Sequence, residues 1–192
     1  GRTILVDPGH MPSSPGAIGP RGTLESESNY AIAKDLKTLL SAQGAHALLS
    51  RAPEEKEVSL PERIRRAWLK KADLFVSVHN NALPDGDDPF ASKHGFSIFY
   101  YHPHSLALAD AVYRSYRRNI TLPGEGLRYG NLYVTRATQM PSILTESAYL
   151  MFPEQEELLR ESAGRKRFAR AMFEGLRDFL EAERKRQGGG KP

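Results

Sequence analysis

The chain has 192 residues, of which 40% are hydrophobic and 26% charged. That length suits one domain with a proper core, and no run approaches the roughly 18 to 20 apolar residues that a membrane-spanning helix needs. Cysteine is absent, which removes disulfides and thiolate metal sites and leaves histidine and carboxylates as the strong metal ligands. The net charge of +4 and pI near 9.3 fit a solubility surface or attraction to a polyanion; without a basic aromatic strand, zinc-finger spacing or helix-turn-helix pattern, nucleic acid is not the expected partner.

Thr3-Ile4-Leu5-Val6 is short and rich in β-branched residues, the pattern of a buried strand. Asp7-Pro8-Gly9 stops it, so His10 sits just past a strand end. In α/β folds that is where binding and catalytic side chains gather. The Pro-, Ser- and Gly-rich segment 11–23 is a loop long enough to line a site. Glu25 stands at or just before a helix expected over 27–43, with Ser26 as N-cap, Gly44 as stop, and Ile32, Leu36, Leu39 and Leu40 inward. Glu25 is either a site residue or a complement to the helix dipole.

A second strand is expected over 45–50, with His46 packed or at an edge. Ser59-Leu60-Pro61-Glu62 is a capping-box pattern and opens a helix to about Ala72 that buries Ile64, Ala67 and Trp68. The third strand is Leu74 to Val78, ended by His79-Asn80-Asn81. The first and third strands thus share a design, an apolar run with a histidine at its carboxyl end. Parallel neighbours joined by right-handed crossovers bring both histidines to one rim.

Segment 83–94 carries Asp85, Asp87 and Asp88. It lacks the ligand order of a calcium loop and reads as surface. An alternating strand follows over 96–101, then a turn containing His102 and His104. The next helix spans about Ser105 to Arg118, with Leu108, Ala111, Val112 and Tyr116 inward. Segment 119–131 is a loop carrying Arg128. A fifth strand is expected over Leu132 to Thr135, followed by Arg136, and a sixth over Ser142 to Thr145, followed by Glu146. Glu146 is either a general base or a capping or salt-bridged side chain. A short helix begins at Pro153-Glu154. A long one over 163–186 should lay Phe168, Met172, Leu176 and Leu180 on the sheet. The basic runs 63–71 and 160–186 read as solvated helix faces, and 188–192 as a flexible tail beyond a domain of residues 1–187. The start shows no initiator methionine and no signal-peptide pattern, so the chain reads as a processed or excised piece.

Two histidines and one glutamate are the ligand types of an open catalytic zinc site, in which water takes the fourth position. Zinc lowers the pKa of bound water from about 16 to roughly 7, and a separate carboxylate must then carry the proton to the leaving amine. His10, Glu25 and His79 supply the first set and Glu146 the second. Asp7 is placed either to orient an imidazole from behind or to cap the turn.

Four segments occur in order: Val6-Asp7-Pro8-Gly9-His10; Gly22-Thr23-Leu24-Glu25 with Asn29 after it; Ser77-Val78-His79-Asn80-Asn81-Ala82; and Pro141-Ser142-Ile143-Leu144-Thr145-Glu146. In these the chain resembles the zinc-dependent N-acetylmuramoyl-L-alanine amidases of the bacterial cell wall, over about residues 3 to 180. The resemblance implies a single α/β domain with a mixed, mostly parallel, six-stranded sheet flanked by helices on both faces. It implies cleavage of the amide between the lactyl group of N-acetylmuramic acid and L-alanine, with Zn²⁺ on His10, Glu25 and His79, and Glu146 as acid/base. Asp7, Asn80, Asn81, Arg128 and Arg136 are the further candidates for touching substrate or supporting the ligands. Peptidoglycan is the implied partner and the cell envelope, periplasmic or secreted, the implied location, with the chain a monomer and no membrane span. Met11-Pro12 replaces the Gly pair usual after the first histidine, Asn80 stands where Ala is common, and Ser147 to Leu150 departs from the usual sequence after the glutamate. Some relatives carry an inhibitory helix over the zinc; 83–94 and 102–104 look too short for one. The rival readings are a zinc peptidase or amidase acting on another amide, and a non-catalytic wall-binding module.

Overall fold

A computed structural model describes residues 1–84, 86–89, 91 and 94–188. The chain runs β1 (Thr3–Pro8), α1 (Glu25–Ala42), β2 (His46–Leu49), α2 (Leu60–Leu69), β3 (Leu74–Asn81), β4 (Phe96–Tyr100), α3 (Pro103–Asn119), β5 (Gly124–Tyr129), a 3-10 turn (Val134–Arg136), β6 (Ser142–Tyr149), α4 (Pro153–Arg160) and α5 (Ser162–Gly188). The six strands form one sheet in the order β2-β1-β3-β6-β4-β5. β2, β1, β3 and β6 are parallel; β4 runs antiparallel to β6, and β5 parallel to β4. The mixed, mostly parallel sheet expected from the sequence is therefore present.

Ile4, Leu5 and Val6 of β1 and Phe75, Val76 and Val78 of β3 are almost wholly buried. Such unbroken apolar runs belong to strands covered on both faces. On one face α1, α3 and α5 close the main core, with Ile32, Leu36, Leu108, Val112, Tyr116, Phe168, Met172 and Leu176 inside it. On the other face α2 and the 3-10 turn cover a smaller cluster around Leu5, Phe75, Val134, Met140 and Leu144.

The differences from expectation have local causes. α1 begins at Glu25, with no side-chain cap. The Glu25 and Ser26 amides donate instead to the Ala17 and Pro15 carbonyls of the preceding loop, which satisfies the first turn without Ser26. Ser59 does cap α2, accepting from the Glu62 amide at 3.4 Å. However, Trp68 is exposed and Arg63 is buried. The inward stripe of α2 is Arg63 with Ala67, one turn apart, and this carries Trp68 away from the sheet. Arg63 is thus no part of a solvated face.

Leu132 to Thr135 is not a strand. Thr135 Oγ1 bonds the Gly130 and Leu132 carbonyls at 2.8 and 2.9 Å, a local side-chain bond that competes with a sheet ladder. The fifth strand is Gly124–Tyr129, whose two glycines and two charged residues hide it from propensity. Gly188 closes α5 and is not in a tail; residues 189–192 lie outside the described part. His46 is exposed at the start of edge strand β2. Of the 83–94 segment, Asp85, Phe90, Ser92 and Lys93 lie outside the described residues, and none of the described ones is helical. Among the described residues no helix is long and apolar enough to cross a membrane.

Candidate metal centre

β3 and β6 pair in register, with His79 opposite Glu146, before the ladder shifts between His79 and Asn81. Both strands run past their expected ends, so both residues lie within the carboxyl-terminal part of parallel strands and share one face of the sheet. β1 pairs with β3 up to Pro8 and Val78, and the Gly9 amide donates to the Val78 carbonyl at 2.9 Å. That brings His10 beside His79, with ring centroids 4.9 Å apart and planes at 70°. α1 starts at the same rim and delivers Glu25 from its first turn.

The Glu25 carboxylate stands between the two imidazoles. Oε2 is 3.1 Å from His10 Nε2, and Oε1 is 3.2 Å from His79 Nδ1. Ligand atoms of His10, Glu25 and His79 all lie within 4.8 Å of one another. Tetrahedral zinc with bonds of about 2.0 to 2.2 Å would set its ligand atoms about 3.4 Å apart. The donor set and its spacing therefore fit a divalent metal of that kind. Two glycines make the room. A Cβ on Gly9 would lie 2.3 Å from His79 Nε2, and one on Gly16 would lie 2.3 Å from Glu25 Oε2 and 2.6 Å from the His10 ring.

Glu25 is 3% exposed. Burial acts to raise its pKa, but hydrogen bonds and charge from His10 and His79 overcome this and hold the carboxyl well below the usual range. It also accepts from the Ala17 amide at 3.0 Å, the Asn80 amide at 3.1 Å and Asn29 Nδ2 at 3.1 Å. Glu146 differs on every count. Its Oε2 is buried with no hydrogen-bond partner. Burial, then the negative charges of Glu25 and Glu125, push its pKa well above the ordinary carboxylate value. Two carboxylates at one rim are thus driven apart in basicity by their surroundings.

The remaining candidates are placed as follows. Asp7 touches neither imidazole; its carboxylate accepts from Ser50 Oγ, from Ser77 Oγ at 2.6 Å and from Arg63 at 2.9 Å. Asn80 supports Glu25 through its amide and bonds Asn29 Oδ1 through Nδ2 at 2.8 Å. Asn81 accepts the next amide, from Ala82, at 3.0 Å. Arg128, on β5, pairs with Glu125 at 2.7 Å. Arg136 stacks over Tyr133 with 5.1 Å to the ring centroid. Its turn is tied to the amino end of β6, where Ser142 Oγ donates to the Val134 carbonyl at 2.7 Å, and not to the part of the strand that carries Glu146.

Sequence reasoning quoted Asn29 after Glu25 without giving it a role, and gave none to Arg63 or Glu156. Asn29 follows Glu25 by one helical turn, a spacing that places both on one face and points to a contact between them. Arg63 donates to the Pro8 carbonyl at 2.7 Å and the His10 carbonyl at 2.8 Å as well as to Asp7. Glu156, on α4, accepts the Arg21 and Thr23 amides at 3.0 and 3.2 Å, tying down the loop before Glu25 from 133 residues away. No local pattern announces that contact.

The fold has close counterparts. The structure superposes on the N-acetylmuramoyl-L-alanine amidase AmiC2 of Nostoc punctiforme with a TM-score of 0.86 and 31% identity, covering 94% of this chain and 97% of that one. It superposes on the catalytic domain of CwlV, an amidase of the same name from Bacillus (Paenibacillus) polymyxa var. colistinus, with a TM-score of 0.85 and 27% identity over 94% and 98% of the two chains. The fold is therefore that of an amidase catalytic domain. LytC of Bacillus subtilis, named an N-acetylmuramoyl-L-alanine amidase, is 35% identical over 175 residues, covering 91% of this chain and 35% of that protein. The probable cell wall amidase LytH of Staphylococcus epidermidis is 31% identical over 182 residues, covering 94% of this chain and 59% of that protein. The model of the N-acetylmuramoyl-L-alanine amidase family matches residues 4–178, and the chain belongs to that family of enzymes.

Proposed function

We propose that the chain hydrolyses the amide between the lactyl group of N-acetylmuramic acid and the L-alanine of the stem peptide. In this reading Zn²⁺ is held by His10, Glu25 and His79, and Glu146 serves as the acid/base. The observation that carries it is the convergence of three residues, far apart in the chain, to within 4.8 Å, beside a glutamate in register with the second histidine, in a member of this amidase family.

Zinc supplies a Lewis acid for the scissile carbonyl and a water made acidic enough to be a nucleophile near neutral pH. The protein's own residues do the rest. Glu25 is held ionised between the imidazoles, so the ligand set carries one negative charge. Asn29 Nδ2 and the Asn80 amide both donate to Glu25 Oε1 and fix the plane of the carboxylate. Glu146 takes the proton from the attacking water and delivers it to the departing alanine nitrogen. A carboxyl with a raised pKa holds that proton more readily than an ordinary glutamate between the two half-steps. The net charge of +4 favours retention on anionic wall polymers. The chain works as a monomer on peptidoglycan in the cell envelope.

Glu146→Gln tests the reading. It should lower release of new N-terminal alanine from purified walls by about 10²- to 10⁴-fold while zinc content stays at the native level, and chelation should abolish release by the native chain. Release of reducing sugar in place of alanine, or an unchanged Glu146→Gln rate, would overturn it. Cleavage of short peptides at a rate equal to that of muropeptides would point to another amide substrate.

A further inference from the structure

His10 has a backbone φ of +58°, one of two non-glycine residues with positive φ among those described. Side chains with a Cβ seldom adopt this left-handed conformation without help. The turn that contains it makes few ladder bonds of its own, since Pro8 lacks an amide hydrogen. Two buried guanidinium groups meet the turn from behind: Arg51 reaches only the Pro8 carbonyl, at 3.2 Å, whereas Arg63 reaches on to His10 itself. The Arg63 side chain is only 3% exposed, yet it carries a permanent charge, which demands partners.

Those partners are spread along the turn. One terminal nitrogen of the guanidinium donates to Asp7 Oδ1 at 2.9 Å and to the Pro8 carbonyl at 2.7 Å; the other donates to the His10 carbonyl at 2.8 Å; Nε donates to the Val58 carbonyl at 3.2 Å. The planar fork therefore spans residues 7 to 10 and accepts one orientation of the His10 carbonyl. Asp7, gripped by Ser50, Ser77 and Arg63, anchors the fork to β1 and β3.

We propose that Arg63 is the positioning residue that holds His10 in its left-handed backbone conformation and so aims its imidazole at Glu25. This rests on His10 being a metal ligand, as proposed above. Lysine at position 63 keeps the charge for Asp7 but has a single nitrogen, which cannot occupy both fork positions. The neighbour Arg66 is the control. It binds the Ser50 carbonyl, Glu55 and Glu62 and touches no part of residues 7 to 10.

The experiment measures the zinc dissociation constant of folded native, Arg63→Lys and Arg66→Lys chains by competition with a chromophoric chelator, after thermal melting shows each apo chain to be folded. Arg63→Lys should bind zinc about 10- to 100-fold more weakly, the range for loss of an outer partner of a ligand, and Arg66→Lys within twofold of native. Should Arg63→Lys not fold, the pair Arg63→Met with Asp7→Asn, which buries no unpaired charge, should show the same loss. Native-like zinc affinity in a folded position-63 variant, or an equal loss in Arg66→Lys, would overturn the proposal. A native chain that takes up no zinc would instead sink the metal-site reading itself, so the two failures are distinct.

Discussion

The two histidines reach Glu25 by opposite means. His79 lies on a strand whose register with β6 places it opposite Glu146, so ordinary ladder bonds deliver it. His10 lies on a turn in a conformation that costs on the order of 1–2 kcal/mol for a residue with a Cβ, and a buried guanidinium under the turn offsets that cost. Strand pairing is robust, because many bonds share the work. A turn held by a few side chains, Arg63 foremost with Arg51 and Asn29 beside it, is adjustable and also vulnerable. The proposed site thus combines a histidine fixed by the sheet with a histidine fixed by a clamp.

Three substitutions probe that contrast. Gly9→Ala should be the most damaging, because it strikes where the two modes meet: the added methyl on the His10 turn would lie 2.3 Å from the His79 ring. Zinc affinity should fall by at least about 100-fold, the upper end of what a residue outside the ligand set costs; equilibrium dialysis would read it, and a native-like value would mean that the ring has room to move. Asn29→Ala comes next. Asn29 links the two sides, donating to Glu25 Oε1 and to the Gly9 carbonyl at 3.4 Å while accepting from Asn80. A loss of about 10-fold in zinc affinity is expected from the same titration.

Glu156→Gln should have the smallest effect, since it acts on the loop between His10 and Glu25 and touches neither histidine. Burial acts to raise the Glu156 pKa, but hydrogen bonds from Thr23 and Arg21 keep it below the ordinary glutamate value. A carboxyl depressed in the folded state contributes stability that is complete above its unfolded pKa, about 4.3, and is lost as pH falls through the folded value. The variant should therefore be about 1–3 kcal/mol less stable at pH 6, with the gap closing below about pH 4. Melting curves across that range would show it, and a gap independent of pH would mean that the carboxylate charge is not what ties the loop.

The part of the site delivered by strands was legible in the sequence. Val76 to Val78 and Ile143 to Thr145 are apolar runs that end in His79 and Glu146, and a parallel sheet brings such ends to one rim. The part delivered by long-range polar bonds was not. Arg63 looks like any basic residue in a charged helix, and nothing near it in sequence shows that Asp7 waits 56 positions away. Asp7 itself was read as an imidazole partner or a turn cap, yet it acts on the turn through Arg63. The 132–135 segment misled for the converse reason. Leu132, Tyr133 and Val134 have strand-forming side chains, but the Thr135 hydroxyl commits the backbone to a turn, while the true strand is written in glycines and charges.

That inconspicuous strand has a bearing on how the molecule behaves in a crowd. β5 forms one margin of the sheet, and its ladder with β4 slips between Phe96 and Ile98; the other margin, β2, is only four residues long. A slipped, charged border and a short one make poor templates for a stray strand from another molecule. An open sheet can in this way resist edge-to-edge pairing without closing into a barrel, and the rim that bears His10, Glu25 and His79 is left clear of such pairing.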